Sequence, residues 1–178
     1  MVKKYFLMPI ITLSIICFVV SGSLAFVNTL TQPVIQHAAE QRAEAAMREI
    51  IKEADHFIEI KDIEDLPRTI TAVFSAENNA NELLGHIFMI SAPGYGGNIN
   101  MLCGVDNKGR IIRIVVLSHT ETKGMTDAVF AEAHQSQYNG KDKNLNSIIP
   151  VTGATVSSNA IKNGVQDALT VYQRINHE

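Results

Sequence analysis

The chain has no tryptophan, only 2 cysteines in 178 residues, and an aromatic content of 6%. Cys17 lies in an apolar N-terminal run and Cys103 in a strand-like run, so neither spacing suits a metal site or a redox CxxC pair. A bridge between them would place one sulfur in lipid, and no disulfide is expected. Charge of either sign is also scarce. Lys and Arg total 15 against 18 Asp and Glu, for a net charge of -3 and a pI near 6.1. That balance excludes the basic footprint of a nucleic-acid-binding domain. His37, His56, His86 and His134 show no ligand spacing with one another, and no metal site is expected. No internal repeat or low-complexity linker is visible. The length suits one anchoring segment and one modest domain.

What the chain does have is one long uncharged run. Lys3 and Lys4 precede an apolar stretch from Tyr5 to about Val27. About 20 such residues match the hydrocarbon core of a bilayer at a rise of about 1.5 Å each. A secretory signal would have a shorter apolar region, about 7–15 residues, ahead of a small-residue cleavage site. Ser23-Leu24-Ala25 is a weak match to such a site, and the length favours an anchor. Pro9 is tolerable near the start of the span, where few backbone bonds are lost. The paired lysines before the run place the N-terminus in the cytoplasm. Residues 1–29 are therefore expected to be the cytoplasmic terminus and transmembrane anchor, and residues 30–178 an extracytoplasmic domain, single-pass in a cytoplasmic membrane.

Beyond the anchor, Thr31 and Pro33 read as a helix start. Val34, Ile35, Ala38, Ala39, Ala46, Met47, Ile50 and Ile51 then recur at helical spacing. Asp62 to Arg68 reads as a polar connection. Strands are expected over Thr69–Phe74, Leu84–Ser91, Ile99–Val105 and Ile111–Leu117. The last two flank the turn signal Asp106-Asn107-Lys108-Gly109 and read as a hairpin. A short helix is expected over Asp127–Ala133 and a charged loop over Gly140–Asn146. Ile161, Val165, Ala168, Leu169 and Tyr172 share one face of a final helix, with Ser157, Ser158 and Asn159 as capping candidates. This order predicts an α+β domain: a mainly antiparallel sheet flanked by helices.

The segment with chemical content is Val151-Thr152-Gly153-Ala154-Thr155-Val156-Ser157-Ser158. Gly153 and Ala154 keep bulk low, so a large group can approach the backbone. Thr155 presents a hydroxyl at the mouth of the final helix, where free N–H groups and the helix dipole favour a phosphate. The dipole contributes only about 0.3–1 kcal/mol at an exposed end. It orients a phosphate without retaining it, whereas an ester to Thr155 would retain it. By residue chemistry alone, the same string also reads as a small-residue turn capping a helix.

Thr152-Gly153-Ala154-Thr155-Val156-Ser157-Ser158 resembles the flavinylation motif of the FMN-binding domain family. That family includes the G subunit of the Rnf electron-transport complex and the C subunit of the sodium-pumping NADH:quinone reductase. Pro93-Gly94-Tyr95-Gly96-Gly97-Asn98-Ile99 is similar to the family's glycine-rich turn before a strand. His119-Thr120-Glu121-Thr122-Lys123-Gly124 is similar to its His-x-Glu-Thr-Pro-Gly segment, with Lys123 in place of the proline. Leu30-Thr31-Gln32-Pro33-Val34-Ile35 resembles the stretch that follows the family's anchor. Ile149 stands where the family often has an aspartate, six positions before the acceptor threonine.

The resemblance implies FMN esterified through its phosphate to Thr155 by a separate flavin transferase that uses FAD as donor. It implies that Thr152, Gly153, Ala154, Val156 and Ser157 surround the attachment point. Tyr95, Gly96, His119, Glu121 and Thr122 are further candidates for the cofactor cleft. Tyr95 could stack on an aromatic ring or pack as an ordinary amphipathic residue; His119 and Glu121 could line the cleft or cap a strand. The implied role is an electron relay, with no catalytic residue of its own, in an ion-translocating ferredoxin:NAD oxidoreductase of the Rnf type. Its implied partners are the other membrane subunits, the flavin transferase and the lipid bilayer. A stand-alone extracytoplasmic flavoprotein reductase and a cofactor-free membrane-anchored binding or structural protein are the alternatives.

Overall fold

A computed structural model describes residues 2–61, 63 and 65–176, with side chains from residue 7 onward. The chain divides into two compact units, Met1–Arg42 and Ala43–Glu178. Helix α1 (Val2–Ile50) contains the apolar run and is long and apolar enough to cross a membrane. Its large apolar side chains between Leu7 and Ile35 are exposed. The expected helix start at Thr31 and Pro33 is not a start. Both lie inside α1, and Thr31 Oγ1 donates to the Val27 carbonyl one turn back, 2.8 Å away, instead of capping. A proline removes one backbone donor, and the helical residues on both sides supply the remaining bonds.

The second unit is built on a five-stranded antiparallel meander in the order β1 (His56–Glu59), β2 (Ile70–Glu77), β3 (Leu83–Pro93), β4 (Asn98–Asp106) and β5 (Ile111–Ser118). The four expected strands are present, each within a few residues. Strand β1 was not legible, because only Phe57 and Ile58 are apolar and one of them, Ile58, is 52% exposed. The expected hairpin closes as read: Gly109 takes φ +79, and Asp106 Oδ1 accepts from the Lys108 and Arg110 N–H groups. The polar connection over 62–68 includes positions 62 and 64, which lie outside the described residues.

Both faces of the sheet are covered, which explains why Leu84–Ser91 reads as a continuous apolar run. Phe88, Ile90, Ala92, Met101 and Cys103 pack in one core with α4 (Thr155–Ile175). Ile87 and Leu102 pack in the other, against Ala43, Ala46, Met47 and Ile50 at the end of α1. Helix α4 presents the expected face, with Ile161, Val165, Ala168, Leu169 and Tyr172 all buried. It lies close to the sheet at Gly164, where an added Cβ would lie 2.7 Å from Ile90 Cγ2 and 2.9 Å from Met101 Cε. The expected short helix is two four-residue helices, α2 (Asp127–Phe130) and α3 (Glu132–Gln135), broken at Ala131 by an extended backbone.

Burial sets the chemistry of the core groups. Both cysteines are free; burial pushes the Cys103 thiol up to about 12, which leaves it unreactive. His86 and His134 are held below the usual imidazole range, in each case first by burial.

Candidate functional site

The turn that leads into α4 leaves a donor-rich, open surface. Val151 donates its N–H to Ser158 Oγ at 3.1 Å, and Ala154 N–H donates to the Val151 carbonyl at 3.1 Å. Between them Gly153 takes φ +84, and a Cβ there would meet nothing within 4 Å. Backbone conformation therefore selects glycine, while the space beyond it stays open. Ala154 is buried and contributes to the core beneath.

Helix α4 begins at Thr155, with Ala154 as an N-cap that offers no side-chain acceptor. Its first backbone bond runs from Ser158 N–H to the Ala154 carbonyl at 3.0 Å. Among the described residues, no acceptor meets the N–H groups of Thr155, Val156 and Ser157. Ser157, Ser158 and Asn159 are thus not the cap; they lie inside the helix, because the reversal at Gly153 starts it earlier. Ser157 and Ser158 are buried, and Ser158 braces the preceding loop. The outcome is a helix N-terminus with three free donors beside an exposed Thr155, the arrangement that suits a phosphate.

A second segment faces this turn. After β5 the chain runs along the Gly94–Gly97 turn. Thr120 Oγ1 donates to the Gly96 carbonyl at 3.1 Å. Glu121 Oε1 accepts from Tyr95 N–H at 2.7 Å and Gly96 N–H at 3.2 Å. A Cβ at Gly94 would overlap Glu121 Oε1, and one at Gly97 would overlap Thr120 Oγ1. The glycines let the two segments touch. Glu121 is only 6% exposed, and its other oxygen, Oε2, is buried without a hydrogen-bond partner.

Between these segments lies a cleft of about 410 Å³, within the range of small-molecule sites. Tyr95, Glu121 and Thr122 form one side, and Gly153, Ala154, Thr155, Val156 and Ser157 the other. Tyr95 is 80% exposed, and with Met125 and Val156 it makes an apolar rim. Three sequence candidates are not on the wall. Gly96 spends its N–H on Glu121, Thr152 lies in the turn itself but off the lining of the cleft, and His119 stacks on Phe130 with ring centroids 3.8 Å apart and planes at 12°. Met125 and Thr126 line the cleft and were missed. Their only signal was adjacency to Gly124 at the end of the His119–Gly124 segment. Thr126 Oγ1 donates to the Thr122 carbonyl at 3.0 Å, which folds that segment toward the cleft.

These features suit a phosphorylated, ring-bearing group such as FMN. The free helix donors match a phosphate, the open space beside Gly153 admits it, and the apolar rim matches a flat ring system.

Comparison with known proteins points the same way. The FMN-binding domain family model matches residues 94–170. The G subunit of the ion-translocating oxidoreductase complex of Stutzerimonas stutzeri is 30% identical over 92% of this chain and 79% of that protein. The G subunit of the proton-translocating ferredoxin:NAD(+) oxidoreductase complex of Clostridium ljungdahlii is 28% identical over 88% and 86%. The Na(+)-translocating counterpart from Acetobacterium woodii is 26% identical over 92% and 91%. The crystal structure of NqrC from Shewanella oneidensis shares the fold, with a TM-score of 0.51 at 16% identity over 72% of this chain and 74% of that one.

Proposed function

The chain belongs to the family of FMN-binding-domain G subunits of ion-translocating oxidoreductase complexes, and from that membership we propose that it is an electron relay with FMN held covalently on Thr155. The observation that carries the proposal is the exposed Thr155 hydroxyl beside three free N–H groups at the start of α4, opening on the cleft. During maturation the Thr155 Oγ replaces AMP on the FMN phosphorus of FAD: an Oγ–P bond forms, the P–O bond to AMP breaks, and the hydroxyl proton leaves with AMP. A flavin transferase catalyses this exchange. Bound flavin supplies one- and two-electron chemistry.

The chain's own residues hold and surround that group. The N–H groups of Thr155, Val156 and Ser157 would hold the phosphate, Gly153 would leave its approach open, and Tyr95, Met125 and Val156 would flank the ring system. Electrons arrive from and leave to other subunits of the complex, so the cleft needs no substrate site. Lys3 and Lys4 ahead of the apolar run support a domain outside the cytoplasm.

The test is intact-mass measurement of the full chain co-expressed with a flavin transferase. A mass gain of one FMN moiety, absent in Thr155→Ala, is expected. A gain that survives in Thr155→Ala refutes the attachment point, and no gain in the native chain refutes covalent loading.

A further inference from the structure

Glu121 braces the Tyr95–Gly96 turn with only one of its two oxygens. One carboxylate oxygen is fully engaged by the Tyr95 and Gly96 N–H groups, which are main-chain donors and carry no net charge. The other is buried with no donor, and no ion pair among the described residues includes Glu121. A buried oxygen left in this way in a native fold asks for a reason, since leaving it unpaired is unfavourable. The group sits in the wall of the cleft, opposite the start of α4.

Resting on the reading of the cleft as a flavin site, we propose that Glu121 is a positioning residue for redox potential: its uncompensated charge makes flavin held in the cleft harder to reduce. Each electron delivered without a proton adds one negative charge to the cleft, and a fixed negative charge nearby opposes it. Glu121 itself lines the cleft, so a ring held there lies on the order of 10 Å or less from the carboxylate, within reach of its field. At that distance and an effective dielectric near 20, one charge shifts a one-electron equilibrium by about tenfold or somewhat more. The loop bonds hold the carboxylate where its field is constant.

The experiment is a spectroelectrochemical titration of the flavin-loaded full chain in detergent, with dithionite as electron donor and ferricyanide as acceptor. In Glu121→Gln the side-chain oxygen keeps the bonds to Tyr95 and Gly96 while the charge is gone. The expected result is a rise in the one-electron potential by about tenfold in the equilibrium, or ~59 mV. Glu121→Asp keeps the charge on a shorter arm and is expected to stay nearer the native value. An unchanged potential in loaded Glu121→Gln overturns the proposal, as does an equal shift in both variants, which would make the role purely structural. A Glu121→Gln chain that acquires no FMN mass also overturns it, because Glu121 would then serve loading. A native chain without FMN mass is the separate failure of the Thr155 assignment, and it is read first by mass spectrometry.

Discussion

Gly164 sets how closely α4, the helix that carries Thr155, lies on the sheet. A Cβ at this position would sit 2.7 Å from Ile90 Cγ2, 2.9 Å from Met101 Cε and 3.4 Å from Ala92 Cβ. Ordinary carbon contacts are about 3.5–4.0 Å, so two of the three fall short by more than half an ångström. Overpacking of this kind costs about 1–3 kcal/mol. Alanine recovers about 0.8–1 kcal/mol of helix propensity lost to glycine, so Gly164→Ala should be destabilised by no more than about 2 kcal/mol. Valine recovers less and adds two methyl groups against the same atoms, and a loss of about 2–3 kcal/mol is expected. Urea unfolding of the full chain in detergent, followed by circular dichroism, reads both. Met101 Cε is the flexible end of a side chain, so Met101→Ala in the Gly164→Val background should recover part of the loss, a non-additivity expected of contacting residues. Valine at 164 with native stability, or strictly additive effects of the two changes, would refute the close-approach argument.

The turn before α4 and the two buried imidazoles carry further expectations. Ser158→Ala removes the acceptor of the Val151 N–H and should cost about 1–2 kcal/mol; unchanged unfolding would show that the brace is dispensable. Gly153→Ala places a Cβ in open space at φ +84, so about 1–2 kcal/mol of backbone strain is expected without a clash. Gly153→Val adds a β-branched side chain beside Thr155 and should reduce FMN loading, and native loading of the valine variant by mass spectrometry would count against the open-approach account. His86 and His134, lowered by burial, take up protons more readily in the unfolded chain. Their stability contribution is complete above an unfolded value of about 6.5 and declines below it, by at most about 1.4 kcal/mol per pH unit for each group, until the lower folded value is passed. Urea melts at pH 7.5 and 5.5 should therefore differ, and His134→Gln should lessen the difference; an identical loss in that variant would exclude His134 from it.

The sequence by itself determined the apolar helix, four of the five strands, the Asp106–Gly109 hairpin and the buried face of α4. These follow from local pattern: an uncharged run, apolar alternation, a turn signal and 3.6-residue periodicity all act between near neighbours in the chain. It also singled out Thr155 and Gly153, because small residues before a helix carry their own meaning. Tertiary structure alone decided the rest. Only folding brings Glu121 under the Tyr95–Gly96 turn, sets Met125 and Thr126 on the cleft wall, and turns His119 away onto Phe130. It also runs α1 through Pro33 and lets Ser158 brace Val151 where a cap was expected. Hydrogen bonds and contacts between residues distant in sequence make these choices, and no local pattern of residues encodes which partner a side chain will meet.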